Sequence, residues 1–262
     1  MLFDSHCHLN SDQFDEHDVL EMIHTARDQD VVQILVPGYD LASSQRAVEL
    51  ADSWQGLYAA VGIHPNDAAQ ATEEAYEQLR EWAKLPQVVA IGEIGLDYHW
   101  ETTPKEVQFE VFRRQIRLAK EVNLPIIIHD REAHGDIVQI LREEGAQEVG
   151  GIMHCFSGSW EMAKECMNMN FLISFGGPVT FKNAKRPQEV ASKVPLDYLL
   201  VETDAPYLTP EPYRGKRNQP LYVRHVAGKI AELRGMEFAE ICKITSDNAE
   251  RIFRVRNPFV SL

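Results

Sequence analysis

The chain has no paired cysteine spacing, no apolar run long enough to cross a bilayer and no surplus of positive charge. Cys7, Cys155, Cys166 and Cys242 lie far apart along it. That spacing argues against a disulfide-built secreted scaffold, and a reducing compartment would keep the thiols free. No stretch approaches the roughly 20 apolar residues of a spanning helix, so no membrane partner is expected. The first residues lack the charged and apolar regions of a signal peptide, and a cytoplasmic enzyme is the expectation. Lysine and arginine number 26 against 40 aspartate and glutamate, a formal net charge of −14. Such a balance argues against holding nucleic acid across a broad basic surface. It leaves room for a nucleic-acid substrate gripped locally by metal ions and a few basic side chains. Internal repeats and low-complexity segments are missing as well.

What is present is a regular alternation. Apolar, β-branched runs begin at Leu2, Val31, Leu57, Val88, Pro125, Gly151, Phe171 and Leu196, and stretches of helical periodicity separate them. Continuous apolar strands between helices are the pattern of a parallel sheet buried on both faces. Eight such units in 262 residues predict a (β/α)₈ barrel of the TIM type, a single domain over residues 1–262. A doubly wound open sheet is the alternative, and it would bind its ligand at one switch point.

In a barrel the site lies at the C-terminal ends of the strands. The first run, read as a strand over Leu2 to His8, ends in His6-Cys7-His8. Alternation puts both imidazoles on one face and Cys7 on the other, towards the helices. Later runs end near His64, in Glu93, in His129, in His154 and in Glu202-Thr203-Asp204. Singly, each has a bland explanation: a histidine capping a core, an acid pairing with an arginine, Asp204 capping a turn. Jointly, unrelated caps have no reason to supply four imidazoles and two carboxylates to one rim. Burying them separately would be costly, whereas a metal compensates the charge. The set exceeds the needs of one tetrahedral zinc and suits two divalent ions sharing a bridging carboxylate. Nitrogen and oxygen ligands without sulfur admit zinc, manganese, magnesium or iron.

These motifs make the chain similar to a known family. Phe3-Asp-Ser-His-Cys-His8, Gly62-Ile-His-Pro65, Gly92-Glu-Ile-Gly-Leu-Asp-Tyr98, Leu124-Pro-Ile-Ile-Ile-His129, His154-Cys-Phe-Ser-Gly158 and Leu200-Val-Glu-Thr-Asp-Ala-Pro206 resemble the TatD-type metal-dependent hydrolases, relatives of the amidohydrolases. The resemblance spans nearly the whole chain. It implies a barrel, two metals and a deoxyribonuclease that trims DNA from a 3′ end. Carried over by residue, His6 and His8 would bind one metal and His129 and His154 the second. Glu93 would bridge them. Asp204 would ligate the first and orient or deprotonate the attacking water, making Asp204 and Glu93 the catalytic pair. His64 would be a substrate contact.

Basic residues cluster in the loops after strands 7 and 8, where barrels frequently bind phosphate. Lys182 and Lys185 read as solvated charges; Arg214, beside Lys216 and Arg217, is the better substrate contact. Tyr98, Phe156, Phe181 and Tyr207 follow rim residues and are candidates for stacking on a base. Two other functions stay open on the residues: a hydrolase of carboxylic esters or amides using the same metals, and a metal-holding scaffold without turnover. Protein partners are not legible.

Overall fold

A computed structural model of the chain describes residues 1–100 and 102–259. All eight strands form one sheet in sequence order, β1(Leu2–Asp4), β2(Val31–Pro37), β3(Leu57–Val61), β4(Val88–Asp97), β5(Ile126–Arg131), β6(Gly151–Met153), β7(Phe171–Phe175) and β8(Leu199–Val201). Each strand pairs in parallel with the next, from β1–β2 through to β7–β8. The helices between them are α1(Glu16–Arg27), α2(Leu41–Ser53), α3(Glu73–Trp82), α4(Lys105–Val122), α5(His134–Glu143), α6(Trp160–Asn168) and α7(Lys185–Lys193). After β8 come α8(Val223–Arg234) and α9(Phe238–Phe253). The predicted (β/α)₈ barrel is the observed fold. No described helix is long and apolar enough to cross a membrane.

Two apolar layers follow from the strand period. Phe3, Leu35, Ala60, Ala90, Ile127, Ile152, Leu172 and Leu200, one from each strand, form an inner cluster with Ala249 and Phe253 of α9. That cluster fills the barrel, and α9 plugs its lower end through Phe253, whose ring lies 5.8 Å from that of Phe3. The larger cluster, with Val36, Val61, Ile91, Ile128 and Met153 on the strands, meets the helices outside.

Several helices start where side chains take up free backbone N–H groups. Asp15 caps α1, Thr72 caps α3 and Ser159 caps α6. Asp40 and Ser43 form a reciprocal box at the start of α2. The Asp15 cap sets the first residue of α1 at Glu16. Its carboxylate accepts from Asp18 N at 2.7 Å.

The barrel closes between β1 and β8 without a regular ladder. Ser5 N donates to Val201 O (3.2 Å), Asp204 N to His6 O (2.9 Å) and His8 N to Ala205 O (2.8 Å). Three of the candidate ligands lie along this seam.

Candidate metal centre

The seam explains how two histidines one residue apart come to face the barrel axis. The expected strand over Leu2 to His8 is corrected: regular β structure ends at Asp4. Strict alternation from inward Phe3 would put Ser5 and Cys7 inside and both histidines outside. Ser5 is indeed inside, its hydroxyl 3.1 Å from that of Ser174 and donating to Val201 O. The alternation then breaks, because the Asp4 carboxylate replaces ladder partners. It accepts from His6 N (3.3 Å), Thr203 N (2.9 Å) and the Thr203 hydroxyl (2.6 Å). One buried carboxylate thus ties the segment of His6 and His8 to that of Asp204. Burial pushes the Asp4 carboxyl well above its usual range despite these donors. Cys7 packs in the outer layer as expected.

Glu93 reaches the axis from an irregularity in β4. Pairing with β5 jumps from Ile91↔Ile126 to Ile94↔Ile128, so β4 carries an extra residue around Gly92-Glu93. A bulge of this kind re-aims side chains. β4 then continues to Asp97, four residues beyond its expected end, and β5 to Arg131. Gly95 permits the close pairing: at φ +146°, a Cβ there would sit 2.0 Å from the His129 carbonyl oxygen.

The two oxygens of Glu93 divide the imidazoles between them. Oε1 is 2.8 Å from His129 Nδ1 and 3.0 Å from His154 Nε2. Oε2 is 3.4 Å from His6 Nε2 and 3.5 Å from His8 Nε2. Asp204 Oδ1 closes the second group, 3.7 Å from His6 Nε2 and 3.5 Å from His8 Nε2, which are themselves 3.1 Å apart. These are five of the six edges of a near-regular tetrahedron. Its corners would lie about 2.1 Å from its centre, the reach of zinc to imidazole nitrogen and carboxylate oxygen. The donors present therefore fit a small divalent cation.

The second group carries its own support. His129 Nε2 lies 2.9 Å from Asp97 Oδ2, and His154 Nδ1 lies 3.1 Å from Glu202 Oε1. Each ring thus turns one nitrogen to Glu93 and offers the other to a buried carboxylate, the outer arrangement that orients metal-binding imidazoles. Glu202 also comes within ligating distance of His6 and His154. Its Oε1 already accepts Cys155 N at 2.7 Å, which suits an orienting role better. Burial opposes ionisation of Glu93, yet His154, His6 and His129 hold it well below its usual range. Burial likewise opposes charge on His154 and His129, and their carboxylate neighbours outweigh it, raising both. The carboxylates call for positive charge at this spot.

His64 joins Glu93 and His129 in a third close group, its Nε2 3.9 Å from Glu93 Oε1. Its Nδ1 accepts the Asn66 N–H at 3.1 Å, so the neutral ring carries its hydrogen on Nε2. Burial and then the neighbouring His129 push its pKa down to about 3. A neutral donor facing the cavity results.

Above the ligands opens a cavity of about 620 Å³ lined by His8, His64, Glu93, His129, His154 and Asp204 among others. Arg214 does not line it; its guanidinium lies over the Phe181 ring, 4.2 Å from the centroid. Of the four aromatics singled out for stacking, only Tyr207 lines the cavity. Phe156 is buried and Tyr98 hydrogen-bonds Asp136. Sequence reasoning passed over Asp4, Asp97 and Glu202 as site residues, and over Arg131 and Trp100, which line the cavity. Asp97 and Glu202 lay inside the quoted motifs, four residues after Glu93 and two before Asp204, and that placement was the available signal. Cys155 has a backbone φ of +43° and Asp204 of +57°, conformations uncommon for such residues. Burial pushes the thiols of Cys7 and Cys155 well up, which disfavours a thiolate reading.

A family model described as TatD related DNase matches residues 3–254. The chain is 58% identical over 255 residues to the uncharacterized metal-dependent hydrolase YabD of Bacillus subtilis, covering 97% of this chain and 100% of that one. It is 34% identical over 260 residues to a protein of Pantoea vagans named 3′-5′ ssDNA/RNA exonuclease TatD, covering 97% and 100%. Among solved structures, the TatD homologue YJJV of Escherichia coli k12 superposes with a TM-score of 0.91 at 32% identity, over 97% of this chain and 98% of that one.

Proposed function

Because the chain belongs to the TatD related DNase family of metal-dependent hydrolases, we propose that it cleaves phosphodiester bonds at the 3′ end of DNA with two divalent ions. The observation that carries this reading is the division of Glu93, each oxygen facing a separate pair of imidazoles. His6, His8 and Asp204 would hold one ion, His129 and His154 the other, with Glu93 shared. The imidazoles suit zinc, and the carboxylates also admit manganese or magnesium. When bound, such a pair supplies Lewis acidity, lowering the pKa of water and offsetting charge on an attacked phosphoryl group.

The protein's own groups then divide the remaining work. Burial opposes ionisation of Asp204, but its bond to His8 and the nearby His154 and His6 keep it below the usual carboxylate range. It is therefore ionised, and beside its contact with the first ion it would orient the attacking water and take up its proton. His64, with hydrogen on Nε2, would donate to a phosphoryl oxygen rather than ligate through that atom. Asp97 and Glu202 would fix the rings of His129 and His154. Arg214, away from the cavity, would meet the strand beyond the reacting nucleotide. The Pantoea relative's name supports a nucleic-acid substrate.

Metal-loaded protein incubated with 3′-labelled single-stranded DNA should release mononucleotides with manganese, magnesium or zinc, and Glu93→Gln should abolish that release. Absence of release with all three, together with turnover of carboxylic esters or amides, would replace phosphodiester cleavage by acyl chemistry on the same metals.

A further inference from the structure

Large apolar side chains left exposed on a folded surface are informative when they gather at one place. Among the described residues six are exposed, and Trp100, Tyr207 and Leu208 all line the one cavity that holds the candidate ligands. Trp100 is 59% exposed and Tyr207 50%. They follow β4 and β8, four strands apart in an eight-stranded ring, and so stand on opposite sides of the mouth. Each is anchored to the site below. Asp97 Oδ1 accepts from His99 N (2.8 Å) and Trp100 N (3.2 Å), while its other oxygen holds His129. Tyr207 N donates to Asp204 O at 2.9 Å, and its ring meets His8 edge-on, with centroids 6.2 Å apart. Arg131, the one lysine or arginine among the described lining residues, carries its guanidinium over the Trp100 ring, 5.7 Å from the centroid.

We propose that Trp100 forms a stacking platform for an unpaired nucleobase beside the scissile phosphate, with Arg131 meeting the adjoining phosphate and Tyr207 facing a second base across the mouth. This rests on the phosphodiester reading above and supplies a structural cause for the unpaired end that a single-strand exonuclease, as the Pantoea relative is named, would need. The floor of the cavity is deeply buried, Glu93 being 3% and His6 1% exposed. A phosphate must descend past the aromatic rim to reach it, and a base held in a duplex stack cannot follow. Stacking accepts any base, so little sequence preference follows.

The test uses metal-loaded protein and 3′-labelled single strands bearing either a base or an abasic residue at the last or second-last position. Wild type should prefer the base-bearing end by roughly tenfold in kcat/KM, the size of one lost stacking contact. Trp100→Ala should collapse that preference, and Trp100→Phe should keep most of it. A phosphorothioate-linked trinucleotide should quench indole fluorescence in wild type and not in Trp100→Phe, a readout that needs no turnover. A preference persisting in Trp100→Ala, equal cleavage of both ends by wild type, or no quench would overturn the stacking site alone. No cleavage of either strand would overturn the phosphodiester reading, and the stacking site with it.

Discussion

Four carboxylates surround the imidazoles of this site, and they divide into two kinds by what they touch besides imidazole. Glu93 and Asp204 point at imidazole nitrogens across gaps that a cation would fill. Asp97 holds His129 with one oxygen and accepts the His99 and Trp100 N–H groups with the other, while Glu202 Oε1 takes both the His154 ring and the Cys155 N–H. Their contribution is therefore orientation. Asp97→Asn and Glu202→Gln preserve shape but remove the charge that fixes each ring. Each should weaken divalent-metal affinity by roughly 10–100-fold. Competition with a chelating dye measures this, and unchanged affinity with intact folding would remove the orienting role.

His134, at the start of α5, gives a pH dependence that lies outside the metal ligands. Its Nδ1 lies 2.8 Å from Asp130 Oδ2, and that bond raises the imidazole pKa above 6.5, against burial. A group with a raised folded-state pKa contributes stability that is fully present below the unfolded value and lost as pH rises through the folded one. His134→Gln should therefore lower stability in mildly acidic buffer and converge with wild type in alkaline buffer. Because the side chain is 37% exposed, the gap should not exceed about 1 kcal/mol. Thermal melts across pH check it; a gap that widened towards alkaline pH would reverse the assignment.

At the level of elements, the barrel interior depends on α9 as much as on the strands. Phe253 is 3% exposed and sits among the inward side chains beneath Phe3. Removing its ring leaves a void that neighbouring strands cannot close, at a cost of about 3–5 kcal/mol. Phe253→Ala should lower Tm substantially while leaving metal stoichiometry intact, because the ligands lie at the opposite end of the strands. Calorimetry paired with metal analysis would show this, and a coupled loss of metal would mean that α9 supports the upper rim as well. The element boundaries also mark what the chain disclosed. Eight apolar runs were countable, and six of the side chains that the fold brings together, His6, His8, Glu93, His129, His154 and Asp204, followed from their ends. The end of β1 was not readable, because it depends on Asp4 bonding to Thr203, 199 residues away. The extension of β4 was hidden by Gly95, a residue that ordinarily argues against strand. Asp97 and Glu202 looked like any other carboxylate until a histidine was seen beside each. Arg214 was chosen for its loop, but Arg131 occupies the cavity because β5 runs two residues beyond its expected end.

For the molecule as a whole, the excess of carboxylates opposes a polyanionic substrate. A net charge of −14 repels DNA at long range, and salt screens that repulsion. Under the proposed function the local attraction would rest on the divalent ions, Arg131 and, farther out, Arg214. Salt weakens this local term through counterion release, with a slope of roughly −0.7 per phosphate contact on a single strand. The two effects act in opposite directions, so the net dependence should be shallow. Between about 50 and 200 mM salt, one phosphate contact costs under about threefold in affinity, against a 10³–10⁵-fold loss for proteins that make 6–10 contacts. The KM for a single-stranded substrate should therefore rise no more than severalfold over that range, and Arg131→Gln should flatten the dependence further. A loss of a hundredfold would require several more phosphate contacts than the cavity and its neighbouring loop provide. Substrate would then lie along a surface tract of cations rather than enter the barrel by its end.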